Sequence, residues 1–248
     1  MDNAQENLWQ DYALCYDSLN HLTPYKKMLR AVVSQIPQGS KQVLDAACGT
    51  GNLENTIKEM CGVPSFKVSG VDASEEMLSR ANNKGSANSE FSFADLNNPL
   101  PFEDEGFDCV VSVNTLYAIK DPGKLLTELN RVLRRSGKLI IVTPKFGCQN
   151  GIILKEHSGS TKPDEYWFDA HSSSEREEAL IREAISDPEV IEKMLKVGMY
   201  NRRICSRVTF HFFHKQALLD LVLLSGFSEI EMTDTYANQA FLLTATKN

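Results

Sequence analysis

Val43-Leu44-Asp45-Ala46-Ala47-Cys48-Gly49-Thr50-Gly51-Asn52-Leu53 reads as a short apolar strand that runs into a glycine turn and then a helix. Asp45 ends the strand four positions before the first glycine, Gly49. A dinucleotide-binding turn carries a third glycine, so that a pyrophosphate can rest on the helix N-terminus. Here that position is Glu54, and a carboxylate there repels phosphate. An acidic strand end suits a ligand that carries an ammonium group and no phosphate.

Outward from this segment, strand and helix signals alternate between about residues 40 and 144. Lys67 to Val71 is a short strand ending at Asp72, and Ser74 caps a helix containing Met77, Leu78 and Ala81. Phe91-Ser92-Phe93 alternates like a strand and ends near Asp95. Phe107 to Val113 is mostly apolar, as in a strand buried on both faces. Asp121-Pro122 opens a helix whose stripe is Leu125, Leu126, Leu129, Val132 and Leu133. Gly137 is expected to stop it, and Lys138 to Thr143 is the fifth strand. Strands separated by helices imply right-handed crossovers and a parallel sheet.

Beyond Thr143 the alternation breaks, and residues 145 to about 209 hold no clear strand. A stretch of that length reads as a functional insertion. Two amphipathic helices are expected in it, from about Ser174 to Ile185 and from Asp187-Pro188 onward, the second ending at Gly198. A helix around Lys215 to Leu224 follows, then strands at Phe227 to Met232 and Ala240 to Thr244. Their connection is too short for a crossover, so this pair is antiparallel. The segments are therefore 1–144, with N-terminal helices and an α/β core, 145–209, a helical cap, and 210–248, the remainder of the core.

The chain has 248 residues, 42% of them apolar, enough for one large domain with a sizeable core. A formal net charge of -7 argues against nucleic acid as the main partner. The six cysteines are scattered with no C-x-x-C pair, as in a reduced, cytoplasmic thiol set. The start of the chain, Met1-Asp2-Asn3-Ala4-Gln5-Glu6-Asn7, is polar and acidic and does not read as a signal peptide. No apolar run approaches the roughly 18 residues needed to span a bilayer, so no membrane is expected as partner.

Taken together, these motifs resemble the class I S-adenosylmethionine-dependent methyltransferases, in particular their small-molecule group. Asp45-Ala46-Ala47-Cys48-Gly49-Thr50-Gly51 matches the family's first motif, Asp72 the acid ending its second strand, and Asp95-Leu96 its adenine-side motif. Leu100-Pro101-Phe102 through Phe107-Asp108-Cys109-Val110-Val111, then Leu129, Arg131-Val132-Leu133 and Gly137-Lys138-Leu139, match the signatures that follow. The family usually has two glycines before its fifth strand, where this chain has Ser136-Gly137. The resemblance implies a Rossmann-like, seven-stranded, mostly parallel sheet with an antiparallel last strand. It also implies S-adenosylmethionine as cofactor and S-adenosylhomocysteine as product. The i, i+3 pair His211 and His214 could bind a metal, but it has little cysteine or carboxylate support nearby, so no metal is expected. The cofactor residues implied are Tyr16, Asp45, Ala47, Gly49, Gly51, Asp72, Ala73, Met77, Ala94, Asp95, Leu96 and Asn114. Gly49 and Gly51 let the backbone approach the methionine part, and Asp45 attracts its ammonium group. Asp72 accepts from ribose hydroxyls, Met77 packs against adenine, and Asp95 accepts from the adenine amino group. Asn114 faces the methionine end. In similar enzymes an N-terminal helix folds over the cofactor, which singles out Tyr16.

The acceptor is expected to be a small molecule, receiving methyl on oxygen or nitrogen, held by a monomer or homodimer. The Asn- or Asp-Pro-Pro-aromatic motif of nucleobase and glutamine methyltransferases is missing from Ser112-Val113-Asn114-Thr115-Leu116-Tyr117. The cap is expected to contact acceptor rather than cofactor, with Tyr117, Trp167, Tyr200 and Phe210 as lining residues. A base is needed only if the acceptor must lose a proton first, and His211 and His214 are the candidates. Competing readings are a protein or RNA methyltransferase, a non-catalytic S-adenosylmethionine-binding protein, an arsenic-methylating enzyme using the thiols, and an NAD-linked oxidoreductase, which Glu54 disfavours.

Overall fold

The computed structural model describes residues 3–85, 88–159, 172–206 and 210–248. The first five strands are β1 (Gln42–Ala46), β2 (Lys67–Asp72), β3 (Ser89–Phe93), β4 (Phe107–Val113) and β5 (Leu133–Pro144). Two more, β6 (Phe227–Thr235) and β7 (Ala240–Lys247), complete one sheet of order β3-β2-β1-β4-β5-β7-β6. All neighbours pair in parallel except β7, which is antiparallel to both β5 and β6. The chain leaves β1 toward β2 and β3, then returns to place β4 on the other side of β1. That reversal opens a crevice at the carboxyl ends of β1 and β4, where sheets of this kind hold ligands.

Consecutive residues of the central strands point to opposite faces and enter two different cores. Val43, Val111, Ile140 and Val142 face one, and Leu44, Val110, Leu139 and Ile141 the other. The second core is closed by α5 (Pro122–Val132) and α9 (Lys215–Leu224). The first is closed by α1 (Asn3–Tyr16), α2 (Thr23–Gln35) and α3 (Asn52–Cys61), with Met77 of α4 (Glu75–Lys84). Helices α6 (Asn150–Ser158), α7 (Ser172–Ala184) and α8 (Pro188–Cys205), which follow β5, add Ile153, Ile181, Met194 and Val197 to that same core.

Caps sit where the sequence places them. Ser74 Oγ accepts from the Met77 N–H, and Asp121 Oδ1 accepts from the Lys124 N–H. Three local expectations need correction. Helix α5 stops at Val132, short of Gly137, because Leu133 already pairs with Phe107 of β4. Gly198 does not end α8, which runs on to Cys205. Its missing side chain admits Glu177 instead: a Cβ there would stand 3.1 Å from Glu177 Oε2. Helix α6 was not expected, because Ile152, Ile153 and Leu154 are consecutive and carry no helical period.

Candidate functional site

The turn after β1 is held by β2. The backbone N–H groups of Ala47 and Cys48 both donate to Val71 O at 2.9 Å. Asp72 then clamps the turn: its Oδ2 accepts from the Gly49 N–H and its Oδ1 from the Ser74 N–H, each at 2.9 Å. Gly49 and Gly51 have φ of +54° and +76°, a region open to glycine at little cost. A Cβ on Gly49 would lie 3.6 Å from Tyr16 Cε1, inside the crevice. A Cβ on Gly51 would instead meet Ala81 of α4 at 3.2 Å. Gly51 therefore serves helix packing, not the crevice wall.

One cavity fills the crevice. Its wall takes Tyr16, Ala47, Gly49, Asp72, Ala73, Met77, Ala94, Asp95, Leu96 and Asn114, as the sequence suggests. Trp9, Ser74, Asn97, Val113, Thr115, Ala118 and Ile119 join them. Ser74, Val113 and Thr115 adjoin residues already singled out. Asn97 carries its own signal, two residues after Asp95: its N–H and Nδ2 both donate to Asp95 Oδ1. Ala118 and Ile119 have no motif; a 3-10 turn at Leu116–Ala118 brings them over the slot. Met77, Ala94, Leu96 and Ile119 give the cavity apolar walls. Asn114, also on the wall, has its Oδ1 buried with no hydrogen-bond partner, an acceptor that costs free energy until something donates to it. Asn114 holds φ +53° at the end of β4, a conformation asparagine tolerates better than most residues.

Asp45 and Glu54 are not on the wall. Both are 2% exposed, beneath the turn, and neither Glu54 carboxyl oxygen has a hydrogen-bond partner. Burial, then the charge of Glu54, pushes Asp45 well above the ordinary carboxylate range. Burial raises Glu54 to about 7, against the charge of Lys84. Two buried carboxyls that feel each other's charge do not both ionise readily. Glu54 thus does not repel a ligand phosphate directly, as the sequence reading supposed; it lies under the loop. The acidic character of the cavity comes from Asp72 and Asp95, and no Lys, Arg or His among the described residues lines it. Burial also raises Asp72, against the N–H groups of Ser74 and Gly49.

The aromatic candidates form two clusters. Tyr12, Tyr16 and Tyr200 are linked, Tyr12 standing 5.2 Å from Tyr16 and 6.2 Å from Tyr200 by ring centroid. Tyr117 stacks on Phe210 at 4.9 Å. The two histidine candidates do not line the cavity. His211 uses its backbone N–H to reach Tyr117 O at 2.7 Å, and the His214 ring lies 4.4 Å from that of Phe146. Trp167 lies outside the described residues.

Residues 37–202 match a family described as a methyltransferase domain. A demethylmenaquinone methyltransferase of Thermotoga maritima is 32% identical over 133 residues, covering 51% of this chain and 56% of that protein. One of Thermus thermophilus is 34% identical over 141 residues, 54% of this chain and 63% of its own length. The matched stretch thus spans little more than half of these relatives. Among solved structures, a Thermotoga maritima SAM-dependent methyltransferase, titled a possible histamine N-methyltransferase, superposes with TM-score 0.63 at 19% identity, covering 98% of this chain and 99% of that one. A SAM-dependent methyltransferase of Aquifex aeolicus gives TM-score 0.56 at 19% identity, covering 93% and 92%. At such identities the structures speak for the fold.

Proposed function

This chain belongs to the methyltransferase-domain family, and from that premise we propose that it is an S-adenosylmethionine-dependent enzyme methylating a small molecule. The observation that carries the reading is the polarity of the cavity. Its wall presents two carboxylates and an orphaned amide oxygen, with no basic side chain among the described residues. A dinucleotide would bring phosphates to that wall, whereas a zwitterionic sulfonium nucleoside brings cations and hydroxyl donors. Asp72 suits the ribose: each of its oxygens is engaged once by backbone and keeps a lone pair. Met77, Ala94, Leu96 and Ile119 suit the adenine, with Asp95 and Asn97 at its edge. Asn114 Oδ1 and the Gly49 turn suit the methionine end.

The bound cofactor supplies an electrophilic methyl carbon. The chain's own residues orient, desolvate and exclude water. Tyr16 covers Gly49, while Tyr12, Tyr117, Tyr200 and Phe210 close the same end with aromatic surface. With His211 and His214 outside the cavity, no described side chain stands out as a base, which suits an acceptor oxygen or nitrogen that needs little help to lose its proton. The relatives named for demethylmenaquinone act on a small molecule, in line with this class. Residues 145–209 serve as the cap on the acceptor side, and Trp167 belongs to that proposal. No helix among the described residues is long and apolar enough to cross a membrane.

Calorimetry with S-adenosylmethionine, S-adenosylhomocysteine and NAD tests the cofactor. Binding of the first two and not the third is expected; the reverse overturns the reading. Release of S-adenosylhomocysteine against a panel of phenols, amines and carboxylates then tests turnover. Binding with no turnover on any acceptor favours the non-catalytic alternative.

A further inference from the structure

Part of the cavity wall comes from two segments far apart in sequence. Ala94, Asp95, Leu96 and Asn97 follow β3, and Ala118 and Ile119 follow β4. Asn97 joins the two. Its backbone N–H donates to Asp95 Oδ1 at 3.0 Å, closing a short turn of the kind aspartate makes with its own backbone. Its side chain does more than that turn needs. Nδ2 donates to the same Asp95 oxygen at 2.8 Å, and Oδ1 accepts from the Lys120 N–H, next to Ile119, at 3.0 Å. A carboxylate on one side and a backbone N–H on the other fix the amide one way round, its NH2 toward Asp95 and its oxygen toward Lys120. Aspartate at this position would keep the second bond and lose the first. An aliphatic residue would make neither. Three residues on, the loop is held without Asn97: the Leu100 N–H donates to Glu128 Oε1 at 2.6 Å, and Arg131 Nη1 donates to Phe102 O at 2.8 Å.

We propose that Asn97 is a positioning residue that makes the cavity selective for an adenine base, by holding the Asp95 carboxylate and the Ile119 wall in one arrangement. The proposal rests on the S-adenosylmethionine reading of the cavity. The motif Asp95-Leu96 stops short of Asn97. Adenine and hypoxanthine have nearly the same shape and differ in what they present at carbon 6. Adenine carries an amino group there, a donor, and hypoxanthine an oxygen, an acceptor. A carboxylate accepts and cannot donate, so an oriented Asp95 attracts the first base and repels the second. Asn97 supplies the orientation. Without its Nδ2 the carboxyl group turns more freely about its terminal bond, whose torsional preference is broad, and the discrimination falls. The bond from Lys120 acts differently. It sets how closely Ile119 lies against a base, which both bases feel alike.

The two side-chain bonds therefore have separable signatures. Calorimetry compares S-adenosylhomocysteine with S-inosylhomocysteine, its hypoxanthine counterpart. The parent is expected to prefer the adenine form by about a hundredfold, the upper range for a hydrogen bond to a charged group. Asn97→Asp keeps the bond from Lys120 and sets a second carboxylate beside Asp95. The preference should fall about tenfold, the scale of one such bond. Asn97→Ala loses both bonds. The preference should fall as far, and both ligands should also bind about threefold more weakly. Asp95→Asn removes the carboxylate through which Asn97 acts. In that background Asn97→Asp should change the preference by about twofold at most, a non-additivity that a residue merely stabilising the loop would not produce. Thermal unfolding shows that each variant is folded. A preference within twofold of the parent in both Asn97 variants, whether or not the two ligands weaken together, overturns the proposal. So does a parent that binds both ligands alike. Either result leaves the cofactor reading in place, whereas a parent that binds neither ligand overturns both.

Discussion

At the scale of single residues, Glu54 and Asn114 carry the clearest consequences. Glu54 is buried and holds its proton up to about pH 7, against an ordinary value of 4.5. Between those values the unfolded chain ionises and the folded chain does not. Whatever stability this group contributes is therefore complete below about pH 4.5, is lost as pH rises to about 7, and stays lost above. The span is on the order of 3 kcal/mol at 1.36 kcal/mol per unit. Glu54→Gln is expected to flatten that decline, gaining on the parent as pH rises from 4.5 to 8 in urea unfolding of the ligand-free protein. Parallel pH profiles for parent and variant would show that the proton is held elsewhere. Asn114 is tested by Asn114→Gly, which keeps the left-handed backbone and removes the side chain that carries the orphaned oxygen. S-adenosylmethionine should bind about tenfold more weakly, the scale of a hydrogen bond to a charged group. The melting temperature without ligand should stay within a few degrees, since that oxygen has no partner to lose. An unchanged dissociation constant would remove Asn114 from the ligand's surroundings.

At the scale of elements, the strand-turn-helix unit was legible because its residues are contiguous and each obeys a local rule. Asp45 ends a strand, Gly49 and Gly51 need positive φ, and Ser74 and Asp121 cap. The cavity wall on β1, β2 and β4 followed, since ligand residues gather at strand ends. Local rules gave no access to Ala118 and Ile119, which reach the cavity through a 3-10 turn, or to Gly198, whose reason is the Glu177 side chain of another helix. The depth of Glu54 was equally out of reach, because burial is set by α3 packing and not by spacing in the turn. Gly70 of β2 shows how tightly the edge of the sheet supports the site. A Cβ there would stand 2.6 Å from Phe91 Cδ1 on β3 and 3.1 Å from Cys48 Cβ in the turn. Gly70→Ala is expected to lower stability by about 1–3 kcal/mol, the usual cost of overpacking. Adding Phe91→Leu should recover part of it, giving a positive coupling in a double-mutant cycle on the melting curve. Additive effects would mean that the Phe91 ring moves aside freely.

At the scale of the molecule, the helices after β5 and the cofactor crevice are not independent. The sequence reading expected the cap to touch acceptor and leave the cofactor alone. Yet α8 backs α1: Tyr200 stands beside Tyr12, and Ser18 Oγ donates to Met194 Sδ at 3.3 Å just past the end of α1. Ile153, Ile181, Met194 and Val197 share one core with Leu8, Tyr12 and Leu19. Helix α1, which carries Trp9 and Tyr16, is therefore set against the cavity from behind by α8. Met194 is 4% exposed, and Met194→Ala is expected to destabilise the protein by about 2–5 kcal/mol. It should also weaken S-adenosylhomocysteine binding by roughly fivefold, because a smaller share of molecules holds Trp9 and Tyr16 of α1 at the cavity wall. Leu218→Ala is the matched control. Leu218 is 0% exposed and sits in the core on the opposite face of the sheet, so the loss of stability should be similar. Its effect on the ligand should be absent well below the melting transition. Equal losses of affinity in the two variants would mean that binding tracks stability at large and that α8 has no special hold on α1.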